Sequence, residues 1–198
     1  MQRRASSLVT LRARILERSS LVVAVAVLGG VLVNGFLNLA NTALSLPLFL
    51  DAIGTAVVAV LFGPVAGAVT GIGSNLFQEV LYGFPGAHWQ FGIVNAATGI
   101  IMGLLARHGL FRTGAHVVVA VLLVTVANAL LGAAVALAVF GGASGIEVDY
   151  ISMGLLLTGK PMFWAAFLAR IPANLVDKAL AVLAAFFAYR AAFLQPDD

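Results

Sequence analysis

The sequence predicts an all-α membrane protein with six transmembrane helices. Three observations carry this reading. Of 198 residues, 62% are hydrophobic and only 10% charged, whereas about a quarter of an average soluble domain is charged. The apolar residues fall into six runs, most of them near the roughly 20 residues that a helix needs to cross the hydrocarbon. Five of the eleven basic residues (Arg3, Arg4, Arg12, Arg14 and Arg18) precede the first run. There they read as a topology signal and not as a nucleic-acid patch.

The expected spans are residues 21–46, 47–62, 64–82, 89–107, 115–140 and 162–190. The first is too long for a secretory signal core of roughly 7–15 residues, so it reads as a retained helix. The second is the shortest and carries Asp51 and Gly54. It joins the third across Gly63 and Pro64 as a tight helical hairpin. Residues 1–20 form a basic cytoplasmic segment, 21–190 one membrane domain and 191–198 a cytoplasmic tail. With an even number of spans the termini share a side. That side holds Arg107, Arg112 and Arg190 besides the five N-terminal arginines, against Lys160 alone opposite. The bias puts both termini in the cytoplasm and the loop 141–161 outside.

Polar residues are costly in a membrane helix, so their position is informative. Most collect at the outer end: Asn38, Asn41, Asp51, Asn75, Gln78, Glu79, His88, Trp89, Gln90 and Asn95, then Glu147, Asp149, Tyr150, Lys160, Trp164 and Arg170. The inner half is aliphatic apart from Asn174, Asp177 and Lys178. A pore would carry polar groups along its whole depth, whereas this pattern predicts a pocket open outside and closed below. The expected ligand contacts are Asn75, Glu79, Trp89, Gln90, Asn95, Tyr150, Trp164 and Arg170. Each has a plainer reading. Glu79 can reach headgroups, and the tryptophans can be interfacial anchors. Arg170 needs a partner such as Glu79 or an anionic ligand. Asn34, Asn38 and Asn41 share a helix face and suit either a site or interhelical hydrogen bonds. Asp177 and Lys178 read as a structural pair, the lysine snorkelling inward.

Several motifs fail. Gly154, Gly159 and Lys160 approximate a phosphate-binding loop, but Pro161 stands where a Ser or Thr is required. The run Gly142-Ala143-Ser144-Gly145 resembles the serine motif of rhomboid proteases, yet no histidine follows His116. Asn95-Ala96-Ala97 lacks the proline of the aquaporin signature. Cysteine is absent and the three histidines are scattered, so no metal-ligand spacing and no cofactor site is expected. An intramembrane enzyme is disfavoured because no nucleophile–base pair is evident.

Leu48-Phe49-Leu50-Asp51-Ala52-Ile53-Gly54-Thr55, then Phe62-Gly63-Pro64-Val65-Ala66-Gly67 with Gly71 and Asn75, resembles the substrate-binding S component of energy-coupling factor (ECF) vitamin transporters. The stretch from Asn95 to Met102-Gly103 and the late Ile171-Pro172-Ala173-Asn174 with Asp177-Lys178 fit the same pattern. The resemblance covers roughly residues 21–190. It implies an S-component-like bundle in the cytoplasmic membrane of a prokaryote, without enzymatic activity. Such a protein binds a vitamin or similar micronutrient outside, and a coupling transmembrane subunit with two cytoplasmic ATPases delivers it inward. The family often docks that subunit through Ala-x-x-x-Ala on the first helix, and Ala26 with Gly30 is the nearest match here. A membrane ligand sensor signalling through a kinase partner is the alternative. Neighbouring genes for ATPases and a coupling subunit, against a kinase gene, would separate the two.

Overall fold

A computed structural model describes residues 20–142, 144 and 148–194. The basic segment before Ser20, Glu147 and the last four residues of the tail lie outside the described residues. The described chain is helical throughout: α1 (Ser20–Ala43), α2 (Ile53–Phe62), α3 (Pro64–Leu81), α4 (Gly92–Arg107), α5 (Gly114–Phe140), α6 (Val148–Leu157) and α7 (Met162–Phe193). A single 3-10 turn, Trp89–Phe91, leads into α4. Four of these segments are long and apolar enough to cross a membrane: α1, Trp89–Arg107, α5 and α7.

The helices carry their apolar side chains outward. On α1, Leu21, Val25, Leu28 and Phe36 are exposed while Gly30, Asn34, Gly35 and Asn41 are buried. On α5, Val118, Leu122 and Val126 face out while Thr125 and Asn128 face in. This inversion of a soluble protein's pattern is what lipid as solvent requires, because apolar side chains gain nothing by leaving hydrocarbon.

Two close crossings set the layout. A Cβ on Gly54 would collide with the Gly30 carbonyl, so α1 and α2 touch backbone to backbone. Along α3 and α4 the glycines pair in register, Gly67 against Gly99 and Gly63–Pro64 against Gly103, with Gly71 on the Asn95 backbone. Small residues four apart let two membrane helices approach this closely. Asn34 pins the first crossing. Its Nδ2 donates to Thr55 Oγ1 at 2.9 Å and Ser74 Oγ at 2.8 Å, and its Oδ1 accepts the Gly54 N–H at 2.7 Å. Interhelical bonding, one of its two expected roles, is the one it takes.

Two elements differ from the sequence expectation. The span expected over 47–62 has only ten helical residues, about 15 Å of helix against roughly 30 Å of hydrocarbon. Residues 46–49 are non-helical chain whose carbonyls α1 captures: Asn41 Nδ2 donates to Leu48 O at 2.8 Å and Asn38 Nδ2 to Phe49 O at 2.9 Å. Those bonds replace the helical ones Pro47 would interrupt. Second, the connection 141–161 is not a bare loop but contains α6, packed against α7. At the other end, α7 continues past Arg190 to Phe193.

A hydrophobic core of Val60, Met102, Phe111, Val124, Val182 and Tyr189 fills the end of the bundle near Arg107 and Arg112. The opposite end is where the buried polar side chains gather.

Candidate functional site

The break between α1 and α2 positions the first polar group. Leu50 takes a left-handed conformation (φ 48), which is uncommon for a non-glycine residue. Its N–H donates to Asp177 Oδ1 at 2.8 Å, and this turn delivers Asp51 to the bundle interior. From α4, Asn95 Nδ2 reaches Asp51 Oδ2 at 3.0 Å, the Asp51 carbonyl at 3.1 Å and Asn75 Oδ1 on α3 at 2.8 Å. From α7, Lys178 Nζ lies 2.5 Å from Asp177 Oδ2 and 3.8 Å from Asp51 Oδ1. One ammonium therefore sits between two carboxylates.

Arg170, one helical face further along α7, is also buried. It donates to Ala166 O at 3.1 Å, to Ser144 Oγ at 3.2 Å and to Asp149 Oδ1 of α6 at 3.5 Å. Gly132 on α5 makes room for it, since a Cβ there would lie 3.3 Å from Arg170 Cδ. The partner of Arg170 is thus Asp149, not Glu79. Removing one member of such a buried pair costs about 3–5 kcal/mol, because the other charge is left uncompensated.

Asp51, Asn75, Asn95, Arg170 and Lys178 line one cavity that opens to solvent. Asp51, Arg170 and Lys178 supply its charge. Amides of Asn38, Asn41, Asn75, Gln78, Asn95, Asn128 and Asn174 line most of the rest, with rings from Phe49, Phe91 and His88. Three buried amide atoms on that wall have no hydrogen-bond partner: Asn41 Oδ1, Gln78 Nε2 and Asn128 Oδ1. Pockets that bind small molecules combine apolar or aromatic walls with a few placed polar groups.

The mouth is covered on one side by the α3–α4 connection, which Glu79 organises. Its Oε1 accepts the Gly86 N–H, and its Oε2 accepts those of His88 at 2.8 Å and Trp89 at 3.2 Å. Asn75 Nδ2 holds the His88 carbonyl at 3.0 Å. The Tyr82 ring stacks on His88, and its hydroxyl donates to Asn38 Oδ1 at 3.1 Å and lies 2.9 Å from the Thr42 hydroxyl, which can donate to it. Burial holds the His88 imidazole below the ordinary histidine range, with Glu79 pulling the other way.

Residues 14–189 match the family model for the substrate-specific component of ECF transporters. The chain belongs to this family. It is a multi-pass membrane protein of a class that serves transport by binding substrate and is not a class of enzymes. No curated protein and no solved structure is similar enough to this chain to count as a match.

Within this S component, Asn75, Asn95 and Arg170 come together on the cavity wall. Glu79 is buried behind the mouth and binds backbone. Gln90 donates to Gly86 O at 2.7 Å in the same connection. Trp89, Tyr150 and Trp164 are exposed, and none of the three lines the cavity. Sequence reasoning passed over Asn128, and it read Lys178 as snorkelling inward. The structure instead buries Lys178 beside Asp51, on the same wall as Asn95. A signal existed for Asn128, the single amide in the mostly apolar 27-residue α5. On the docking side, Gly30 is buried at the α2 crossing while Ala26 is half-buried.

Proposed function

We propose that this S component captures a vitamin or related micronutrient in the cavity at the outer face of the cytoplasmic membrane. It delivers the solute inward while docked to a coupling transmembrane subunit and two cytoplasmic ATPases. The observation that supports this best is the set of orphaned amide atoms of Asn41, Gln78 and Asn128 on the cavity wall. A buried polar atom without a partner costs about 1–3 kcal/mol, and a bound solute toward which these amides turn recovers that cost.

The direction follows from two features. The Lys/Arg bias puts the Arg107–Arg112 end in the cytoplasm, so the cavity end is outside. The apolar core closes the cytoplasmic end, and release inward then needs the whole subunit to reorient, which is the work of the coupling subunit and ATPases. Docking falls to α1 around Ala26, because α1 is the least enclosed of the four long spans.

Native mass spectrometry of the protein purified in mild detergent tests the reading. A small solute should be retained by the parent and lost on Asn95→Ala. Vesicles containing the protein should take up that solute only with the coupling subunit, the ATPases and ATP. A parent that retains no solute, and vesicles that import none with all partners present, would overturn it.

A further inference from the structure

We propose that the cavity selects a ligand with a positively charged or multiply N–H-donating group, such as a protonated or amino-substituted nitrogen heterocycle, and places that group against Asp51. This rests on the solute-binding reading above and names the charge class of its ligand.

The argument is a matching of charges and hydrogen bonds. Two cations line the wall, and each is already held by an acid that does not. Lys178 lies 2.5 Å from Asp177, which is 1% exposed, and Arg170 lies 3.5 Å from Asp149, which is 6% exposed. Among the described residues Asp51 is the carboxylate that lines the cavity, its side chain 15% exposed. It shares an ammonium that Asp177 holds more than 1 Å closer. Its other hydrogen bonds come from neutral groups, the Asn95 amide and its own backbone N–H. The negative charge of Asp51 is therefore the one the protein leaves least compensated on the wall.

The neutral groups lean the same way. Of the three orphaned amide atoms on the wall, Asn41 Oδ1 and Asn128 Oδ1 are acceptors and Gln78 Nε2 is a donor. Both asparagines are at least nine-tenths buried. A ligand rich in N–H donors, toward which these amides turn, satisfies both acceptors and Asp51 together. A carboxylate ligand faces Asp51 across the cavity, and must take Lys178 from Asp177 or Arg170 from Asp149 to be neutralised. Like-charge juxtaposition of this kind is a strong discriminator between ligands.

Three probes of nearly one shape separate the possibilities: benzamidine (cationic, donor-rich), benzamide (neutral) and benzoate (anionic, acceptor-only). Their affinities for the full chain in lipid nanodiscs, stripped of retained solute, are read by saturation-transfer NMR titration. Benzamidine should bind at least about tenfold more tightly than benzoate, and Asp51→Asn should narrow the gap to about twofold. Benzoate binding as well as benzamidine, or a gap unchanged in a correctly inserted Asp51→Asn, overturns the assignment. The ranking in the parent protein decides the matter if that variant does not insert. A retained native solute together with a benzoate preference sinks the charge assignment alone. No retained solute and no response to any probe sinks the solute-binding reading, and this inference with it.

Discussion

Asn95 holds Asp51 at two points, the carboxylate and the backbone carbonyl, at 3.0 and 3.1 Å. One amide of α4 thus fixes both where the chain turns into α2 and where its carboxylate points. Fold and site meet in that pair, and each of the expectations below follows from a comparable link.

Truncating Asn95 removes bonds to Asp51 and Asn75 at once. Asn95→Ala should weaken binding of the retained solute by about 1–3 kcal/mol, roughly 5–150-fold, in isothermal titration. Trp164→Ala, at an exposed position, should change affinity by less than about twofold. Equal affinities for parent and Asn95→Ala would reduce the Asn95 network to helix packing.

Glu79→Gln keeps the size of the side chain but replaces one acceptor oxygen with a donor facing backbone N–H groups. Hydrogen bonds to a charged group contribute about 1.5–3 kcal/mol each, so the connection from Gly83 to His88 should loosen. Amide hydrogen exchange at Gly86, His88 and Trp89 should rise, with α5 unchanged. Unaltered protection there would mean that the carboxylate does not hold the loop.

Gly54→Ala puts a methyl group into the Gly30 carbonyl, and neither backbone can retreat without separating α1 from α2. Overpacking of this kind costs about 1–3 kcal/mol. Gly29→Ala, whose Cβ meets nothing within 4 Å, should melt like the parent. The comparison is a thermal unfolding scan in detergent, and equal melting of all three proteins would refute the close crossing.

Orientation is tested by cysteine labelling. Ser144 is a poor reporter because it is 7% exposed and bonded to Asp149 and Arg170. Lys160 and Thr113 are both exposed. In intact cells an impermeant thiol reagent should modify Lys160→Cys and spare Thr113→Cys, and the reverse result would invert the topology.

Ala26→Phe should impair uptake by the assembled transporter far more than solute binding by the isolated chain. Gly30 is a different case, because bulk there strikes Val58, Thr70 and Gly54 and should lower stability first. Uptake at the parental rate by Ala26→Phe would move the docking face elsewhere.

The long spans were legible because apolar runs of membrane length leave few alternatives. The shortness of α2 was not, since hydropathy does not separate an apolar helix from apolar non-helical chain. What decides it is Asn38 and Asn41 on another helix taking the carbonyls of Leu48 and Phe49. Helix α6 was hidden for a related reason: ten residues led by an aspartate look like loop until their packing on α7 is known. At the site, the sequence placed polar groups by depth along a helix, but lining a cavity also needs the angle about the axis. Asn75, Asn95 and Arg170 have both, while Trp89, Tyr150 and Trp164 share the depth and point away. The Asp177–Lys178 pair was legible from its adjacency, whereas the approach of Lys178 to Asp51 was not, because Asp51 lies on a distant segment.

The ten-residue α2 has a consequence for how the chain is made. A segment that short gains too little from hydrocarbon to partition alone during synthesis. It turns directly into α3 at Gly63, whose φ of 99 suits glycine, followed by Pro64. The two therefore enter the bilayer as one hairpin, and the unpaired backbone ahead of α2 is satisfied only once α1 and α7 supply Asn38, Asn41 and Asp177. Asp51 likewise meets Lys178 only when α7 is in place, so the cavity is completed only when nearly the whole chain is present.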